Sequence, residues 1–269
     1  LQRYGLCALL LLALSGCSIT HAYRVADGQR IDVTRMVEEL GDVPLVLVGE
    51  EHDDMAHHEL QLDVITRLHR QGRPMAIGLE MFETPHQGAL DAWVAGRLPE
   101  RAFIPVYQVN WRNLSWAYYR DLFVYARDQR IPLVALNAPR ELVQKVARLG
   151  FAALSDADLK TLPADVNVAL TVNPMGTNAG FMPGHNPQAT RYMAQAQALR
   201  NRVMAHSARR YLQEHPQTRL VVLTGGLHAW REGGIPAELG DLPHAVILPP
   251  MSGLNLMERN RRSADYVLD

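Results

Sequence analysis

The chain has 269 residues, 48% of them apolar and 20% charged, with a formal net charge of −1. That is enough to bury one substantial core, and the near-neutral balance excludes a broad electrostatic pull toward nucleic acid. The two cysteines, Cys7 and Cys17, both precede the expected fold, which excludes a disulfide framework or a Cys-type zinc site inside it.

Residues 1–17 read as a lipoprotein signal segment: Arg3 is a basic start, Leu6 to Leu14 an apolar run too short to span a bilayer, and Leu14-Ser15-Gly16-Cys17 resembles a bacterial lipobox with Cys17 as the lipidated residue. Ser18, not Asp, follows it, which fits outer-membrane sorting. Residues 18–31 are expected to be a short tether with a turn at Asp27-Gly28. Asp32 fits an N-cap for a helix burying Met36, Val37 and Leu40 and stopped by Gly41. Leu45 to Val48 is a branched apolar run, Glu59 to His69 has helical spacing and ends at Gly72, and Met75 to Leu79 is a second such run, so the βαβ order predicts a parallel sheet. From Pro85 to Arg130 the pattern is helix-rich, with Phe103 to Trp111 expected as a short strand. Leu133 to Leu136 resumes the sheet, followed by a helix from Pro139 to Leu149 closed by Gly150. Asn173 to Pro187 is rich in Gly, Pro and Asn and forbids regular structure, yet carries the apolar Met175, Phe181 and Met182. Gln188 to Glu214 reads as a long helix, Leu220 to Thr224 and His244 to Leu248 as strands, and residues 260–269 as a peripheral tail. The expected fold is one α/β domain over residues 32–259: a mostly parallel central sheet, flanking helices and a helix-rich insertion.

Four strand tips carry the chemistry. Gly49-Glu50-Glu51-His52 and Gly225-Gly226-Leu227-His228 both have the form G-x-x-H just past a strand, Glu80 ends a third strand, and Asn137 and Arg140 follow a fourth. Ligands bind outside the carboxyl ends of strands in open α/β sheets, so these tips are expected to share one site. Two imidazoles and a carboxylate there can bind a divalent metal, or serve as base and orienter on a water, which gives the reading of a metal-dependent hydrolase using His52, Glu80 and His228. The structural alternative is a buried ion-pair network in which Arg140 and Asn137 satisfy Glu50 and Glu80. His57 and His58 fall on the first turn of the next helix, one expected to face the pocket and the other solvent.

The set VGEEHDDMAHH, GLEMF, Trp116 to Tyr119, LNAPRE, AQALRNRVMA, GGLH and GIP, with the lipobox, resembles the ChaN family of haem-binding lipoproteins in the Tiki and erythromycin-esterase-like superfamily, in the same order from about Asp32 to Leu256. The resemblance implies an α/β fold, a role in haem-iron uptake beside an outer-membrane receptor, and haem held between two protomers with a Tyr on the iron. Two positions depart from the family pattern: Asn201 stands where the helix motif usually has Asp, and the W-P-x-Y form becomes Trp116-Ala117-Tyr118-Tyr119. Losing that acid weakens the case for metal-dependent hydrolysis. Ferric haem needs an axial ligand, an apolar slot and partners for its propionates. The stretch from Met175 to Tyr192 offers Met182 as wall, His185 or Tyr192 as ligand and Arg191 for a propionate, with Tyr118 and Tyr119 as rival ligands whose alternative role is core packing. The expected function is therefore a haem-binding, lipid-anchored protein and homodimer, with the hydrolase as the alternative.

Overall fold

The branched apolar runs form the parallel centre of a sheet in the computed structural model of the protein, which describes residues 20–168, 186–250 and 263–269. Its strands are β1 (His21–Arg24), β2 (Gln29–Asp32), β3 (Leu45–Glu50), β4 (Met75–Glu83), β5 (Leu133–Asn137), β6 (Arg219–Gly225), β7 (His244–Leu248) and β8 (Tyr266–Leu268). They lie in the order β2-β1-β8-β7-β3-β6-β4-β5. From β8 to β5 every pairing is parallel; β1 runs antiparallel to both β8 and β2. All the central strands therefore end on the same side, which is the placement the strand-tip argument needs.

Strand alternation divides the core into two layers. Val46, Val48, Ile77, Leu79, Val221 and Leu223 face one layer. Against them pack α1 (Val33–Glu39), α2 (Met55–Arg70), α3 (Gln87–Val94), α4 (Glu100–Asn110) and α5 (Trp116–Asp128), whose Trp93, Phe103, Tyr107, Tyr119 and Phe123 form an aromatic cluster. Leu45, Leu47, Ala76, Leu220 and Val222 face the other layer, built from α8 (Pro187–Glu214) and the short α9 (Gly226–Ala229). Two further helices, α6 (Arg140–Leu149) and α7 (Asp156–Thr161), lie between β5 and α8 in sequence, and α6 packs on α8 through Leu142, Val146, Leu199 and Val203. The edge strand β5 is closed by a side chain: the Gln87 amide donates to Leu133 O at 2.8 Å and accepts from Ala135 N at 2.7 Å, standing in for a neighbouring strand.

Asp32 caps α1 as its type and position predict, accepting from Arg35 N at 2.8 Å. Three expectations are corrected. Within residues 18–31, expected as tether, His21–Arg24 forms β1 and Gln29 begins β2, which runs on to Asp32. The tail is not peripheral, because Tyr266–Leu268 is a buried strand between β1 and β7. Phe103 to Trp111 is not a strand; Phe103, Tyr107 and Asn110 recur at helical spacing on the buried face of α4 and outweigh the β-branched composition. The helix α2 starts at Met55, one residue after its N-cap Asp54, so His57 and His58 fall on its first turn as expected.

Candidate functional site

The end of β3 delivers Glu50 into the α2/α5 layer, where it is 2% exposed. Oε1 accepts from His52 Nδ1 at 2.7 Å and from the Tyr119 hydroxyl. Oε2 lies 3.3 Å from His58 Nδ1 but accepts no aligned hydrogen bond. His58 faces acceptors only: Glu50 Oε2, Gln61 Oε1 at 3.3 Å and His52 O at 3.1 Å, while Gln61 Nε2 is turned to Val48 O. Both ring nitrogens must then donate, which makes His58 an imidazolium and Glu50 its counter-ion. Burial pushes the Glu50 carboxyl up, but the bond from His52 and the neighbouring His58 imidazolium outweigh it and bring it down to about 2. Burial opposes charge on His52 and His58 as well, and the Glu50 carboxylate overrides it, raising both. Burial and the neighbouring Glu50 push the Tyr119 phenol far up, so it stays a donor.

Glu80, on β4, points to the opposite layer and is 1% exposed. Oε1 pairs with Arg200 Nη2 of α8 at 2.5 Å; Oε2 accepts from Thr224 Oγ1 at 2.5 Å and Gly225 N at 2.6 Å. Burial raises this carboxyl, yet the surrounding cation and donors keep it ionised far below the usual range. His228 Nδ1 lies 2.5 Å from Asn201 Oδ1, and the amide nitrogen of Asn201 is committed to Gly233 O at 2.7 Å. The amide oxygen therefore faces the ring, the His228 proton sits on Nδ1, and Nε2 presents a lone pair 3.6 Å from Glu80 Oε1. Burial brings the His228 pKa down to about 3, so the ring is neutral.

His52 joins the two halves. Its ring leans over the end of β6, where a Cβ on Gly225 would lie 2.8 Å from Cε1 and 3.1 Å from Nε2, so only glycine leaves room for it. Trp111 stands edge-on to the same ring, 4.9 Å between centroids. Glu50, His52, Glu80 and His228 thus meet at one rim, although the two carboxylates approach it from opposite faces of the sheet.

Other expected residues fall elsewhere or take other roles. Arg140 does not serve Glu50 or Glu80; its backbone and side chain reach Glu83, at 2.9 and 3.7 Å, and its guanidinium donates to Asn110 O. Asn137 donates to the backbone of Glu80 at 2.8 Å, not to its carboxylate. His57 and His58 are both buried, so neither faces solvent. Tyr119 is locked in the core, and Tyr118 is half-buried with its ring 5.5 Å from His58. Tyr192 lies over Gly150, its hydroxyl bonded by Gln188 Nε2 at 2.8 Å, beside the exposed Arg191. Cys17, Met182 and His185 lie outside the described residues. Sequence reasoning missed Arg200, Thr224, Gln61 and Trp111; only the position of Thr224, last in its strand before the glycine pair, signalled its role.

The metal-dependent reading finds little support in this geometry. Both oxygens of Glu80 are engaged, and Arg200 holds the one that faces His228. Among the described residues, the cluster whose ligand atoms all lie within 4.8 Å is Glu51, Asp54 and His57. There His57 Nδ1 accepts the Glu51 amide at 2.9 Å, leaving its proton on Nε2, which faces Asp54 at 3.6 Å, so the ring has no lone pair for a cation.

Comparison with known proteins matches residues 36–239 to a family model described as haem-binding uptake, Tiki superfamily, ChaN. The chain superposes on ChaN of Campylobacter jejuni, whose structure is described as showing cofacial heme binding, with a TM-score of 0.68, at 18% identity and covering 93% of this chain and 96% of that one. It superposes on the type III effector HopBA1 with a TM-score of 0.55, at 14% identity over 94% and 97% of the two chains. An erythromycin esterase in its open conformation gives 0.50, at 12% identity over 94% and 82%. These likenesses show the fold. A protein of Arabidopsis thaliana named RETICULATA-RELATED 5, chloroplastic, is 24% identical over 231 residues, 77% of this chain, and the match spans 31% of that protein's length.

Proposed function

The chain belongs to the ChaN haem-binding uptake family of the Tiki superfamily, and from that premise we propose that it is a haem carrier in iron uptake, held at the outer membrane by a lipid on Cys17. The carrying observation is the family match over residues 36–239, three-quarters of the chain. In this reading the cargo is ferric haem, taken into a pocket shared by two protomers and exchanged with an outer-membrane receptor. Tyr192, or His185 beyond the described residues, serves as an iron ligand, Met182 as wall and Arg191 as a propionate partner.

The described residues fit such a cargo chemically. Haem needs an apolar surface and an open donor atom, and the rim supplies a half-exposed imidazole beside Trp111. Hydrolysis is disfavoured because Glu80 is spent on Arg200, Thr224 and Gly225. Titration of the purified protein with hemin should give a saturable Soret change, and size-exclusion chromatography should show a larger species with haem than without. A linear, unsaturable absorbance change would remove the proposal. Tyr192→Ala with unchanged affinity would remove that residue's role.

A further inference from the structure

The amino-terminal strand fixes which end of the molecule an anchor would hold. His21 lies beside the end of β8, its carbonyl accepting the Asp269 amide at 2.9 Å, and β8 is parallel to β7, as β7 is to β3. Thr20 therefore stands at the same end of the sheet as the tips of the central strands, three strand spacings or about 14 Å from the tip of β3. Cys17 is three residues ahead of Thr20, a stretch that reaches at most about 11 Å however it runs. The same end carries the apolar surface. Among the described residues, the exposed large apolar side chains are Met55, Val109, Leu149 and Leu159, at 43, 51, 57 and 39%. Met55 opens α2 just past the tip of β3, and Val109 precedes Asn110, which receives the amide of Glu83 at the end of β4. From Arg200, level with Glu80, α8 descends to the start of β6, so the part of it ahead of Arg200 stands beyond the tips. There Gln195 accepts the Phe151 amide at 2.8 Å, which holds the end of α6 and Leu149 at that height. Leu159 is on α7, tied to α6 by Lys145 and Asp158 at 2.6 Å.

We propose that the strand-tip end docks on the lipid surface that holds the Cys17 anchor, with Met55, Val109, Leu149 and Leu159 entering its headgroup layer. This rests on the lipid at Cys17 proposed above. A domain joined to its anchor by so short a stretch cannot turn its opposite end to the bilayer, and exposed apolar side chains gain by leaving water for the interface. Charge fits as well. Arg148 and Lys160, next to Leu149 and Leu159, and Arg191 on α8 are exposed and can meet lipid phosphates. The rim of Glu50, His52, Glu80 and His228 then opens toward the bilayer, so a ligand reaches it from the membrane surface rather than from bulk water.

The test is site-directed fluorescence on the full lipidated chain, in vesicles of phosphatidylethanolamine and phosphatidylglycerol that carry a nitroxide quencher on some headgroups. Cys7 and Cys17 are the only cysteines, so the cleaved and lipidated chain has no free thiol and a single introduced one takes the label. Met55→Cys and Leu149→Cys are compared with Gln213→Cys, an exposed position in the last turn of α8 at the other end of the molecule. The first two labels should be quenched at least about threefold more than the third. Leu149→Asp together with Leu159→Asp should lower quenching of the Met55→Cys label by about half or more. All of these positions are exposed, so the substitutions spare the core, and circular dichroism checks the fold. Equal quenching at the three positions, strongest quenching of the Gln213→Cys label, or quenching unmoved by the two aspartates overturns the inference and leaves the anchor standing. Mass spectrometry showing Cys17 without lipid overturns both.

Discussion

Replacing Arg200 by Met removes the cation from a carboxylate that is 1% exposed while keeping most of the arginine's aliphatic packing. The pair stands at 2.5 Å with Arg200 itself 17% exposed, so its loss falls in the range for breaking one partner of a buried pair, about 3–5 kcal/mol. The bonds from Thr224 Oγ1 and Gly225 N remain, which argues for the lower end of that range. Urea unfolding at pH 7 measures the loss directly, and for a chain of this size it corresponds to a fall of about 10 °C in Tm. The pH dependence has a definite sign. Glu80 is depressed in the fold, so its contribution is present above the ordinary carboxylate range and is lost as pH falls; with Arg200 gone the carboxyl protonates more readily, so the gap between wild type and Arg200→Met should narrow in acid. Adding Glu80→Gln, which removes the charge but keeps an acceptor for Thr224 and Gly225, should recover at least half of the loss. A cost below about 1 kcal/mol at pH 7, or a double variant no more stable than the single one, refutes the ion-pair account.

Tyr119→Phe takes a hydroxyl donor from Glu50, whose pKa then rises from about 2, and should cost about 1–3 kcal/mol and move the acid-unfolding midpoint, followed by circular dichroism, to higher pH; an unmoved midpoint counts against the bond. His228, neutral in the fold down to about pH 3, opposes folding increasingly as pH drops below its ordinary 6.5, and Asn201→Asp should raise its pKa by a unit or more by NMR titration, at the cost of the Asn201 bond to Gly233 O. A ring that titrates unchanged would show that Asn201 does not set its state. Gln87→Ala uncovers the edge of β5, with an expected loss of about 1–2 kcal/mol and more self-association in light scattering; equal scattering at every concentration would mean the edge is protected otherwise.

The strands and their shared end were legible because apolar runs stop at a glycine in β3 and β6 and at Glu80 and Asn137 in β4 and β5, and the chemistry sits where they stop. The partners of that chemistry were not. Arg140 follows a strand tip in sequence and looked like the natural counter-ion, but it turns to Glu83, while Arg200 reaches Glu80 from mid-helix, where nothing local distinguishes it from Arg191 or Arg202. Glu50 and Glu80 look alike in sequence, yet the two-residue period of their strands sends them to opposite layers, one to meet His58 and Tyr119, the other Arg200. The last strand was illegible for a different reason. Tyr266 to Leu268 is three residues long and gains its place from pairing with β7 on one side and, on the other, with β1 from the opposite end of the described chain.

That last strand also decides how the molecule bears load. The amino-terminal hairpin touches the rest of the sheet through β8, with His21 O receiving the Asp269 amide at 2.9 Å and Arg30 paired to the Asp269 carboxylate. A pull applied ahead of Thr20 is therefore resisted by β8 and Asp269 acting as a latch. Removing residues 266–269 should loosen the hairpin without touching the rim, leaving it tied to the body by the pair between Arg24 and Glu39 of α1.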